Sequence, residues 1–155
     1  MSVEDALRET KIRELPLSPA VCVAIGTRVG EVLELMKQRR AHCVLICEGA
    51  RLRGIFTERD VVNKILGLPV DLEAPIESFM TPSPVTLHPE DQVWEAMRLM
   101  DEGGYRHIPL VIEGGRLAGV VSVQDIINFL AEYFPTEVFN LPPRSRQVFE
   151  APEGA

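Results

Sequence analysis

The chain has no extended run of basic residues, and its 16 lysines and arginines stand against 23 acids, for a net charge of −7. That balance excludes a broad, sequence-independent nucleic-acid surface, though a local basic pocket remains compatible with it. No apolar stretch approaches the ~18 residues that a membrane-spanning helix needs. The N-terminal MSVEDALRET is acidic and polar, without the apolar core of a secretory signal. The expectation is a soluble cytoplasmic protein that engages neither nucleic acid nor membrane.

Cysteine is scarce and unpaired in pattern: Cys22, Cys43 and Cys47 are odd in number and lack zinc-ligand spacing. Cys43 and Cys47 lie on one predicted strand, four steps and roughly 13 Å apart, too far for a shared metal or a disulfide. Buried structural thiols are expected, with redox sensing as the alternative. No clustered metal ligands occur, and no Ser-His-Asp or Cys-His set has an orienting partner. His42 and Cys43 point to opposite faces of a strand, which is poor geometry for a base and its nucleophile. The expectation is a protein without catalysis or metal.

What the sequence does contain is a duplication. GIFTERD (Gly54 to Asp60) and GVVSVQD (Gly119 to Asp125) share the pattern Gly, two apolar residues, Thr or Ser, two variable residues, Asp. At an offset of 65, His42 meets His107, Leu45 meets Leu110 and Gly49 meets Gly114; at 64, Val21 meets Val85, Val29 meets Val93 and Met36 meets Met100. The slip falls in loops, where an insertion costs little. Two copies of one supersecondary unit therefore fill most of the chain.

The elements follow from periodicity. An amphipathic helix is predicted over 3–14, then a strand at Val21–Ala24 and a helix striped by Val29, Val32, Leu33 and Met36. AHCVLIC and RLRGIFT read as strands around a turn at Glu48–Ala50. A helix carrying Val61, Val62, Ile65 and Leu66 is stopped by Gly67 and Pro69. Repeat two follows the same plan: a strand at Val85–Leu87, a helix over Val93, Ala96, Met97 and Met100, strands at His107–Ile112 and Arg116–Ser122, and a helix at Val123–Tyr133. The divisions are an N-terminal helix at 1–14, repeat one at 15–68, a linker at 69–78, repeat two at 79–134 and a Pro-rich tail at 135–155. A single unit of about 60 residues has a marginal core, so the two are expected to pack face to face. Leu35, Leu99 and Trp94 widen the apolar arcs of the first helices, which favours a homodimer surface over additional core.

Thr57-Glu58-Arg59-Asp60 stands where a strand becomes a helix, and Ser122-Val123-Gln124-Asp125 repeats it. Thr or Ser followed three residues later by an acid is a capping box, which needs no ligand. The same geometry suits a ligand: a helix N-terminus and a hydroxyl bind phosphate, and a carboxylate accepts from both ribose hydroxyls. Positive charge is available from Arg59, Arg106 and His107, with His42 as the repeat mate of the last. Both readings stand at this point.

The duplicated unit, the two motifs, SFMTPSPVTL and GYRHIPLV together resemble a tandem CBS-domain pair, or Bateman module, over about residues 15–134. The resemblance implies an α+β fold of two β-α-β-β-α repeats packed through their sheets with pseudo-two-fold symmetry, two related clefts, and dimerisation into a disc. It implies an adenosyl ligand such as AMP, ADP, ATP or S-adenosylmethionine. Asp60 and Asp125 would hold ribose; Thr57 and Ser122 would contact phosphate or ribose, and Arg59, Arg106, His107 and His42 would contact phosphate. Thr81, Val85 and Ile108 would line one adenine slot, Val21 and Cys43 the other. The implied function is a regulatory adenine-nucleotide sensor acting in trans on a partner protein; the alternative is a ligand-free dimeric assembly module.

Overall fold

The computed structural model describes residues 2–134. The expected irregular tail and its residues lie outside that range. Among the described residues there are five α-helices and six strands. In order they are α1 (Val3–Glu9), β1 (Cys22–Ala24), α2 (Val29–Arg39), β2 (Cys43–Glu48), β3 (Arg51–Thr57), α3 (Glu58–Lys64), β4 (Thr81–Pro82), α4 (Val93–Gly103), β5 (His107–Ile112), β6 (Arg116–Ser122) and α5 (Val123–Tyr133).

The strands form a sheet in the order β1-β2-β3-β6-β5, with β4 added to β3. β1 runs parallel to β2, β2 and β3 form a hairpin, and β5 and β6 form its counterpart. The two hairpins meet edge to edge at one register pair, Arg51 opposite Arg116. Their inner faces also pack together: Cys43, Leu45 and Ile55 of repeat one touch Val120 and Leu117 of repeat two. This is the expected α+β pair packed through its sheets.

The segments leading into the repeats exchange partners. Ile12, ahead of repeat one, is fully buried against Val93, Ala96 and Ile108 of repeat two. Ile76, ahead of repeat two, is fully buried against Val29, Val32 and Phe56 of repeat one. The backbone bonds match: Ile12 N–H donates to the Asp91 carbonyl at 2.8 Å, and Ile76 N–H to the Thr27 carbonyl at 2.7 Å. Val93 N–H donates to Thr10 and Val29 N–H to Ala74, each of these pairs shifted by the same 64 residues. Each repeat's core is thus completed by chain from outside it.

Two expected elements are cut short, the first of them by this exchange. The helix expected over 3–14 ends at Glu9, because Thr10 and Lys11 turn extended to pair with Gln92 and Val93; Ile12–Glu14 is a 3-10 turn. The strand expected at Val85–Leu87 is reduced to one parallel bridge, Leu87 to Leu110. Leu87 N–H donates to the Pro109 carbonyl and Val111 N–H to the Leu87 carbonyl, but the next rungs on either side need the N–H groups of Pro89 and Pro109, which have none. Trp94, read as facing outward, packs on the repeat-two core with the Arg8 guanidinium 4.1 Å from its ring centroid.

Gly54 has a packing reason. A Cβ there would lie 2.4 Å from the Met80 sulfur, so glycine admits the incoming segment beside the β2–β3 bulge.

Candidate functional site

Both strand-to-helix junctions are capped as the sequence suggests. Thr57 N–H donates to Asp60 Oδ2 at 3.0 Å, and Ser122 N–H to Asp125 Oδ2 at 2.9 Å. The Ser122 hydroxyl accepts from Asp125 N–H at 3.1 Å. The carboxylates are the buried charged groups among the described residues, Asp60 at 8% and Asp125 at 2% exposure. Capping therefore operates at both sites, and the second oxygens distinguish them. Asp60 Oδ1 pairs with Lys64 Nζ at 3.0 Å, one helical turn on. Asp125 Oδ1 accepts from the Ser18 hydroxyl at 3.0 Å and its N–H at 3.3 Å.

A cleft opens beside each carboxylate. The Asp60 cleft, of about 340 Å³, brings together Thr57, Arg59 and Asp60 of repeat one with Thr81, Val85, Arg106 and His107 from beyond it. The Asp125 cleft, of about 560 Å³, brings together Ser122 and Asp125 with Val21, Cys43 and His42. His42, Glu58, Arg106 and His107 line both, so a single polar wall separates the two cavities. The expected slot residue Ile108 lines neither: its side chain is fully buried in the repeat-two core, because alternation along β5 turns it away from His107.

His42 Nδ1 lies 2.8 Å from Glu58 Oε2. Arg59 donates to the Gly104 carbonyl at 3.3 Å, at the C-terminal end of α4. His107 is half-buried, and burial first, then the neighbouring His42, holds its pKa below the ordinary imidazole value. Cys43 is pushed up to about 12 by burial. Its thiol stays neutral and offers an apolar wall, not a nucleophile. Burial raises the thiol pKa of Cys22 and of Cys47, which lie on the adjacent strands β1 and β2. Among the described residues no group of three or more side chains is arranged to hold a metal ion. No described helix is long and apolar enough to cross a membrane.

The sequence reasoning missed Arg39 and Arg40, which line the Asp125 cleft, and Tyr105, which lines the Asp60 cleft. The arginines were hidden because their repeat mates are Gly103 and Gly104, so the duplication carried no sign of them. The signal available was a basic pair at a helix C-terminus, directly before the Ala41-His42 entry to β2.

The family model for the CBS domain matches residues 12–67 and again 76–132. The chain belongs to the CBS domain family. This CBS pair is 27% identical over 124 residues to an uncharacterized 17.7 kDa protein of Acidianus ambivalens, a match covering 79% of this chain and 74% of that one. It spans less than half the length of several other curated relatives. Among solved structures, the CBS domain protein PAE2072 of Pyrobaculum aerophilum, complexed with AMP, superimposes with a TM-score of 0.69 at 24% identity, covering 79% of this chain and 98% of that one. The cytosolic domain of the Mg2+ channel MgtE, in complex with ATP, gives a TM-score of 0.65 at 27% identity, covering 81% of this chain and 52% of that one.

Proposed function

We propose that this CBS pair is a regulatory module that binds an adenosyl ligand of the AMP, ADP, ATP or S-adenosylmethionine type, and acts in trans on a partner protein. The observation that carries this reading is the pairing of each buried first-turn carboxylate with a cleft edged by Arg106, His107 and His42. Asp60 or Asp125 accepts from the ribose hydroxyls. Thr57 or Ser122, with Arg59, Arg106, His107 and His42, takes the phosphate. Thr81 and Val85 flank the base in one cleft, Val21 and Cys43 in the other. The complexes of related CBS proteins with AMP and ATP support the ligand class.

Each cleft draws walls from both repeats, so a ligand ties them together. Beyond the β3–β4 pairing, their hairpins meet at one register pair among the described residues, a narrow contact about which their relative orientation can shift. A ligand that favours one orientation shifts the population toward it by its differential affinity, and a partner reads the change. The module is a cytoplasmic homodimer in this account, formed through α3 and α5, where Val62 and Ile127 stand at matching positions with 60% and 44% exposure, and not through the first helices as expected, because Trp94 and Leu99 pack on the repeat-two core.

A second reading, a ligand-free assembly module, is favoured by the Ser18 contact, which satisfies Asp125 without any ligand. Isothermal titration of AMP, ATP and S-adenosylmethionine into the wild type and into Asp60→Asn and Asp125→Asn decides between them. Binding weakened by either substitution supports sensing; absence of binding to the wild type supports assembly.

A further inference from the structure

The two clefts are related by pseudo-symmetry, so residues that differ between them mark what each is built to hold. We propose that the Asp125 cleft is a nucleoside-polyphosphate site, in which Arg39 and Arg40 take the phosphates beyond the first, while the Asp60 cleft takes a monophosphate. This rests on the nucleotide reading above and adds a division of labour between the clefts.

Four observations converge on it. Arg39 and Arg40 end α2 and line the Asp125 cleft, whereas the equivalent end of α4 is Gly103 and Gly104. The charge balance follows. Arg39, Arg40 and Arg106 face Glu58 and Asp125 in one cleft; Arg59 and Arg106 face Glu58 and Asp60 in the other, where Arg59 is already tied to the Gly104 carbonyl. Arg28, Arg53 and Arg98 are all engaged by carboxylates, but Arg39, Arg40 and Arg106 make no ion pair among the described residues. The Asp125 cleft is also the roomier, at about 560 Å³ against about 340 Å³.

The backbone adds an argument of a different kind. Both helices end on a left-handed residue, Gly104 at φ 73° and Arg40 at φ 51°. Glycine adopts that conformation freely, and a side chain with a Cβ resists it. Repeat one therefore carries an arginine, at some cost in backbone strain, where repeat two carries the glycine that this position favours. Arginine's planar fork suits the successive oxygens of a polyphosphate, and each added phosphoryl group brings negative charge that two further arginines offset.

The test is a calorimetric titration of AMP, ATP and inorganic tripolyphosphate into the wild type, Arg40→Gly and the double variant Arg39→Gln/Arg40→Gly at one ionic strength. The expected result is a loss of ATP affinity of about tenfold or more in the double variant, with AMP affinity changed by less than about twofold. Tripolyphosphate competes with ATP in the wild type and fails to do so in the double variant. Arg40→Gly and the double variant both melt no lower than the wild type, since Arg39 is exposed, so the loss cannot be assigned to unfolding. Equal losses for AMP and ATP, or no loss for either, overturn the proposal. If no nucleotide binds but tripolyphosphate still binds through these arginines, the nucleotide reading falls and the polyanion site stands. If neither binds, both fall.

Discussion

Ser18 donates to Oδ1 of Asp125 through both its hydroxyl, at 3.0 Å, and its N–H, at 3.3 Å, so a residue of repeat one, just ahead of β1, closes the carboxylate of repeat two. The equivalent residue of repeat two is Pro82, which has neither group. Asp60 is served by Lys64 instead, and the repeat mate of Lys64 is Phe129. Two carboxylates with the same motif therefore have different partners. Ser18→Ala should destabilise the protein by about 1 kcal/mol, since a buried acceptor loses a hydrogen bond. The melting temperature should fall by roughly 2–4 °C. No change in melting would show that the contact contributes nothing in solution.

Arg40 and Gly104 make an internal control for backbone strain. Arg40→Gly should stabilise by about 0.5–1 kcal/mol, and Gly104→Ala should cost about as much, because only glycine meets the left-handed geometry without penalty. Urea unfolding of both variants checks the signs. Stabilisation by both, or by neither, contradicts the account.

Gly54 and Met80 should be energetically coupled. A Cβ at 54 would come 2.4 Å from the sulfur of Met80, a flexible side chain able to move but buried against its neighbours. Gly54→Ala should cost about 1–2 kcal/mol, and clearly less in a Met80→Ala background. A double-mutant cycle measures the difference; additive costs would place the effect elsewhere.

His107 gives a pH dependence of known sign. Its folded-state pKa is depressed from 6.5, first by burial and then by His42, so the unfolded chain binds the proton more readily. Stability from this group is present above the ordinary value and is lost as pH falls from about 6.5 through the lower folded value. His107→Gln should flatten that part of the stability profile, as read by denaturant unfolding between pH 5 and pH 8. An unchanged slope would mean that another group titrates there.

The duplication made the order of elements legible, because it fixed which strand pairs with which helix without any tertiary information. The capping boxes at Thr57 and Ser122 were legible too, since they are local. The exchange of lead-in segments was not, although Ile12 and Ile76 stand 64 residues apart; nothing local says that each docks on the other repeat. That exchange shortened α1 and brought Ser18 to Asp125. Ile108 was misplaced because its neighbour His107 lines the clefts and strand alternation sends the next side chain inward. Arg39 and Arg40 escaped notice because comparing repeats highlights what is shared, and their value lies in what is not.

The most direct test of the central claim is a thermal-shift series on the wild type with AMP, ADP, ATP and S-adenosylmethionine, each at about 100 times its dissociation constant. Ligand binding at one cleft should add roughly 2.7 kcal/mol, a rise on the order of 5–10 °C, and Asp60→Asn or Asp125→Asn should reduce it. A flat response to all four ligands from a folded protein would contradict the account and leave the two aspartates as helix caps alone.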